Sequence, residues 1–167
     1  TRAYDHDNRM TFESLPSATE ALANENGVKT NYDALSRIIE QDRWVGNAVF
    51  STTVYDYLSD NRIRITDPRG NVSTTTFEGF APQDDALAEG ARPIEIVPPL
   101  GAKTEFEYDI FGNRRYERRV AGSTQLAETA MIYDTRLRPT AIVDPQGDTT
   151  RTFYDALDRP VVEKDGE

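Results

Sequence analysis

The dipeptide Tyr-Asp recurs six times in this chain, at Tyr4, Tyr32, Tyr55, Tyr108, Tyr133 and Tyr154. The intervals are 28, 23, 53, 25 and 21 residues, and a degenerate copy at Phe77-Glu78 divides the longest into 22 and 31. Self-similarity at such a period marks a repeat architecture, in which each unit is one supersecondary element packed on its neighbours. This constraint outranks any local propensity, because it requires the same small structure to be built again and again.

Alignment of the copies gives the content of the unit. An arginine follows most of the dipeptides, at Arg9, Arg37, Arg62, Arg114 and Arg159. Short apolar or alternating runs come next ("RIRIT", "RPIEIV", "RPTAIV", "RPVVE"), then a Pro/Gly turn, then a Thr-rich run ending in an aromatic residue. Runs rich in Thr, Ile, Val, Tyr and Phe suit a pleated surface. In "DPRG" (Asp67, Pro68, Gly70) and "DPQG" (Asp144, Pro145, Gly147), Pro presets φ, Asp accepts from nearby amides, and Gly takes the positive-φ position. "PPLG" at Pro98 to Gly101 occupies the same place, and "IFGN" and "ALSR" after Tyr-Asp read as a second tight turn. Each unit is therefore a β-hairpin. The expected fold class is all-β: an antiparallel meander of hairpins in an open or spiralling sheet, one array spanning residues 1–167.

Two stretches interrupt the period, at about 10–27 and 79–92. In the first, Ser17 and Glu20 form a capping box ahead of good helix formers, with Gly27 as the stop. The second, near Asp84 to Pro93, has room for one helical turn ending near Gly90. Both are expected to be short helical insertions decorating loops.

Composition narrows the function. With 37% hydrophobic residues the core is thin, and the net charge of −10 disfavours a nucleic-acid backbone or an anionic membrane as partner. No apolar run is long enough to span a bilayer as a helix. Cysteine is absent, which removes disulfides, thiolate metal sites and a cysteine nucleophile.

The phrase Tyr-Asp-x-x-Gly-Arg, a strand, an Asp-Pro-x-Gly turn and an aromatic-ended strand together resemble the Rhs/YD repeat. "YDIFGNR" from Tyr108, "YDALSR" from Tyr32 and "YDALDR" from Tyr154 carry the resemblance best, and it covers nearly the whole chain. It implies long β-sheets coiled into a hollow shell. Such a shell encloses the C-terminal toxin of a bacterial secreted or contact-delivered protein, and related shells occur in animal adhesion receptors. It also implies a repeat motif made of Tyr4, Asp5, Tyr32, Asp33, Arg37, Tyr55, Asp56, Tyr108, Asp109, Gly112, Arg114, Tyr133, Asp134, Tyr154, Asp155 and Arg159 with the two Asp-Pro-x-Gly turns. The family's autoproteolytic core with paired aspartates is not recognisable after Tyr154. The sequence departs from the motif at Ser36 and Asp158, which stand where the family has Gly, and "YDYLSDNR" carries two extra residues.

Residues with chemical potential each have a plainer explanation. A row of Tyr and Asp could bind sugars, but a constant Asp-to-Arg spacing favours a turn-locking ion pair, with Tyr laddered against neighbouring strands. His6, between Asp5 and Asp7, is the only histidine, so no His triad or multi-His site can be built, and "DHDN" lacks the Gly and distal Glu of a calcium loop. Asp84 and Asp85 form a carboxylate pair in an insertion, outside any recognisable glycosidase motif. Trp44, the only tryptophan, reads as an anchor covering the sheet near the helical insertion, with a ligand-stacking platform as the alternative.

The expected function is structural: a stretch of shell wall in a larger secreted or surface bacterial protein, with no catalytic, metal or cofactor site of its own. Its expected partners are the remainder of a longer chain or further copies at the sheet edges, with a toxin as possible cargo. A carbohydrate- or cell-surface-binding module is the alternative, and a glycosidase or autoprotease a more distant one.

Overall fold

The structure, a computed structural model, describes residues 1–15, 26–46, 48–79 and 92–164. Among these residues it is all-β and without helix. The chain divides into two compact units, Thr1–Pro93 and Ile94–Glu167. Strands β1 (Arg2–Tyr4), β2 (Met10–Ser14), β3 (Gly27–Tyr32), β4 (Ile38–Val45), β5 (Ala48–Leu58), β6 (Arg62–Thr66) and β7 (Val72–Phe77) lie in the first. The second opens within β8 (Pro93–Val97) and continues through β9 (Lys103–Tyr108), β10 (Arg114–Ala121), β11 (Thr124–Tyr133), β12 (Pro139–Val143), β13 (Thr149–Tyr154) and β14 (Pro160–Lys164). Within each unit spatial order equals chain order and every pairing is antiparallel, so each is an open meander.

The sequence explains the thinness of the sheet. In β6, Ile63 and Ile65 alternate with Arg62 and Arg64, which sends them to opposite faces. Register places Ile65 opposite Tyr55 and Ser73, and Ile63 opposite Tyr57 and Thr75. Ile63 is 2% exposed, and Phe77, two residues beyond Thr75 on the same face, is 8% exposed. Burial also raises the pKa of the Tyr55 phenol. The opposite face of this unit is polar, with Thr52 donating to Asp42 at 2.6 Å, Asn31 to Glu40 at 2.7 Å, and Arg64 paired with Asp56 at 3.0 Å.

In the second unit one face carries an ion ladder. Lys103 bridges Glu95 at 2.7 Å and Glu105 at 2.6 Å, while Arg118 bridges Glu107 at 3.0 Å and Glu128 at 2.5 Å. Hydrogen bonds that Lys103 donates to Glu105 and Glu95 raise its pKa above the ordinary lysine range. Among the described residues no large side chain is fully buried.

The first insertion differs from its sequence-based boundaries. Met10–Ser14 is strand β2, and Gly27 is the first residue of β3 rather than a helix stop. A Cβ on Gly27 would lie 2.5 Å from the Glu13 carbonyl oxygen and 2.5 Å from the Phe12 ring, so the glycine is required by close packing. Leu15 donates its amide to Asn26 at 2.9 Å, closing the base of the connection. Residues 16–25 and 80–91, which hold the capping box, Asp84, Asp85 and the expected helical turns, lie outside the described residues.

Candidate functional site

The repeat motif builds one local structure seven times among the described residues, starting at Asp5, Asp33, Asp67, Asp109, Asp134, Asp144 and Asp155. In each, the Asp amide donates to the carbonyl four residues on at 2.9–3.0 Å, and the amide three residues on donates back to the Asp carbonyl at 2.9–3.1 Å. The Asp carboxylate accepts from the amides two and four residues on, at 2.8–3.1 Å. The third residue after Asp always has positive φ: Asn8, Ser36, Gly70, Gly112, Leu137, Gly147 and Asp158. The Tyr-Asp and Asp-Pro-x-Gly turns, which differ in sequence, are thus one geometry. The carboxylate uses one oxygen as a backbone acceptor, in the manner of an Asx turn.

The second carboxylate oxygen takes the side chain at the fourth position. Arg9, Arg37, Arg138 and Arg159 supply their Nε at 2.7–2.8 Å, and Asn71 and Asn113 their amide at 2.8 and 3.0 Å. On Asp109 the position belongs to Asn113, whereas Arg114 pairs with Glu117 at 3.0 Å. The alignment by dipeptide passed over Arg138, and it included Arg62, which instead reaches Asp60 at 3.4 Å.

These bonds hold the carboxylates in their charged form. The Arg9 amide lowers the Asp5 pKa, and the Asn71 and Asn113 side chains lower those of Asp67 and Asp109. The Arg138 and Arg159 guanidiniums do the same for Asp134 and Asp155. At Asp33 partial burial opposes ionisation, but the Arg37 amide, the Arg37 guanidinium and the Leu35 amide outweigh it, and the pKa is again lowered.

Successive hairpins are joined by a second device. Arg9 lies over the Tyr32 ring at 5.1 Å, Arg37 over Tyr57 at 4.1 Å and Arg138 over Tyr154 at 4.4 Å. Each tyrosine then donates its hydroxyl to the carbonyl of the residue just after that arginine. Tyr32 donates to Met10 at 2.8 Å, Tyr57 to Ile38 at 3.0 Å and Tyr154 to Pro139 at 2.7 Å. Tyr133 makes the corresponding bond to the Arg114 carbonyl at 3.0 Å, after Asn113. The arginine therefore locks its own turn through Asp and clamps the next hairpin through Tyr. Charge-assisted hydrogen bonding and cation–π stacking act through one guanidinium.

In the third copy the joint corrects the motif assignment. Tyr55-Asp56 lies inside β5, where Asp56 faces Arg64, and Tyr57 takes the joint position instead. The turn that follows has positive φ at Asp60 and Asn61. The degenerate copy keeps the turn's base across a longer connection: the Glu78 amide donates to the Arg92 carbonyl at 2.8 Å, and the two side chains pair at 2.8 Å.

Among the described residues the remaining candidates gather into no chemical site. His6 reaches Asp7 at 3.0 Å in an exposed turn, and among the described residues no group of three or more His, Asp or Glu is placed to hold a metal. Trp44 lies opposite Gly27 and Val49, its indole Nε1 buried without a hydrogen-bond partner. A shallow groove of about 510 Å³ over β12 and β13 includes Ile132, Val143, Thr149, Arg151 and Phe153, and Asp134 and Arg138, also in its lining, are paired with each other.

Asx-locked hairpins clamped in series by tyrosine on arginine define a YD-repeat sheet. Residues 133–167 match the family model described as RHS Repeat. The crystal structure of TcdB2-TccC3-TEV is similar over 99% of this chain, with a TM-score of 0.66 at 10% sequence identity, and the chain spans 9% of the length of that one. No curated protein matches. The sequence match over residues 133–167 and the likeness of fold both support an Rhs/YD-repeat reading of this chain.

Proposed function

We propose that this chain is a stretch of structural wall in a larger bacterial Rhs-type protein, secreted or held at the cell surface, that encloses or presents a toxin or effector. The observation that supports the reading best is the fate of the repeated carboxylates. Six of the seven turn aspartates spend both oxygens, and Asp144 at least one, on their own turns. Where the pKa moves, it moves away from the value a general acid needs at neutral pH. What looks in sequence like a row of reactive pairs serves as fasteners. The similarity to a chain of which this one spans 9% agrees with a part in a longer wall.

The test is protease protection in the parent protein. Deleting the segment corresponding to residues 1–167 should open the wall and make the enclosed polypeptide degradable, while the intact protein shields it. Equal protection with and without the segment refutes the wall reading.

A further inference from the structure

From the open edge of β11 we infer a strand-addition site, which takes an extended peptide segment carrying a basic residue. This goes beyond the wall reading and uses neither end of the chain.

Strand β11 is 10 residues long and its neighbour β12 only 5. β12 pairs with residues 130–133, so residues 124–129 pair with β10 on one side and, among the described residues, with no strand on the other. At roughly 3.4 Å per residue the open edge runs about 20 Å, the length of an ordinary strand. Alternate residues along it turn N–H and C=O groups outward. The next place in the sheet is already filled by β12, which turns back into β13 after Val143, so no additional repeat at either end can become the neighbour of this edge. Beside it lies a groove of about 410 Å³, lined by Leu126, Ala127, Glu128, Val143, Asp144 and Pro145 among others.

Two features say what enters. Arg119 faces Ala127 and Val120 faces Gln125, which leaves Leu126 as the extra residue of a β-bulge, 56% exposed. A bulge guards an edge against indiscriminate pairing and re-aims one side chain; here it offers a leucine to the incoming strand. The second feature is charge. Six of the turns place Arg or Asn on the second oxygen of their aspartate. At Asp144 one oxygen takes the Gln146 and Asp148 amides at 2.9 Å, and the fourth position is Asp148, a second carboxylate. Among the described residues neither acid has an ion pair, and no group of three ligands is placed to hold a metal. A lysine or arginine of the added strand supplies the cation that this turn lacks.

The first unit builds the same step without the charge. β6 pairs with residues 54–58 of β5 and leaves 48–53 open, and Phe50, 71% exposed, is the bulge residue. There Asn71 claims the second oxygen of Asp67. The step is a repeated device, and the acidic turn marks the copy that selects a basic strand.

The probe is a synthetic peptide of alternating Thr and Val with one central lysine, titrated into the isotope-labelled 167-residue chain and followed by NMR. Amide shifts should gather on residues 124–129 and 144–148. Replacing the lysine by glutamate should weaken binding about tenfold. Asp148→Asn, which restores the donor found at Asn71 and Asn113, should weaken it about fivefold with no loss of melting temperature. No binding, shifts of equal size along residues 48–53, equal affinity for the lysine and glutamate peptides, or full affinity in Asp148→Asn each overturn the inference. None of these results touches protease protection in the parent protein, so the wall reading stands or falls separately.

Discussion

The contact between Arg37 and Tyr57 can be weighed by a double-mutant cycle. Arg37→Met removes the charge but keeps a long apolar stem, and Tyr57→Leu removes the ring. The guanidinium carbon sits 4.1 Å from the ring centroid, with the arginine side chain 23% exposed, so the stacking is partly desolvated. A coupling energy of about 0.5–1 kcal/mol is expected from such geometry. Tyr57→Phe separates the other half of the joint: it deletes the 3.0 Å bond to the Ile38 carbonyl and should cost about 1 kcal/mol, with the coupling to Arg37 intact. Urea unfolding followed by circular dichroism reads both quantities. Arg9 with Tyr57 is the control pair, because Arg9 stacks on Tyr32 instead, and its coupling should be close to zero. Equal coupling for the contacting and control pairs would refute the joint as an energetic unit.

Two further outcomes follow from the turns. Gly147 has φ +96°, and an added Cβ would meet nothing within 4 Å, so any cost of substitution there is conformational. Gly147→Ala should destabilise by about 1 kcal/mol: about 1–2 for the left-handed backbone, less roughly 0.4–1 regained from a stiffer unfolded chain. Gly147→Asn should cost less, and thermal melts ranking Asn level with Ala would contradict the backbone argument. The second outcome is a pH dependence. The folded pKa values of Asp5, Asp33, Asp67, Asp109, Asp134 and Asp155 are lowered below the unfolded value near 3.8, so their stabilisation is complete above that value and lost as pH falls through the folded ones. Stability should be flat from about pH 7 to 5 and fall below about pH 4, with NMR titration placing these carboxyls lowest. A decline that begins near pH 6 would point to other groups.

The hairpins were legible in the sequence because their determinants are local. Turn residues, β-branched runs and a fixed period sit within a few positions of one another, and the antiparallel all-β architecture follows from them. The joint was hidden because its halves are about twenty residues apart and meet only across paired strands. Letter matching therefore chose Tyr55, whereas strand length chose Tyr57: two added residues extend β5 and carry the dipeptide into the sheet. Reading four positions beyond each aspartate, rather than seeking the nearest arginine, selects Arg9, Arg37, Asn71, Asn113, Arg138 and Arg159. It also unites turns that differ by a proline. The equivalence of the two turn types was obscured by chemistry, since Gly, Asn, Ser, Leu and Asp all occupy the one left-handed position.

The closure at Glu78 and Arg92 has a consequence for how such a chain can diversify. The usual turn leaves three residues between carboxylate and cation, whereas here 79–91 intervene and the base is still fastened by the same amide bond and ion pair. Lengthening a connection about fourfold costs only about 1.2 kcal/mol in closure entropy. That lies within reach of one charge-assisted bond at its base. Each Tyr-Asp turn is therefore a splice port, where new sequence can be admitted without shifting the register of any strand. The frame of strands and the loops between them can then vary independently.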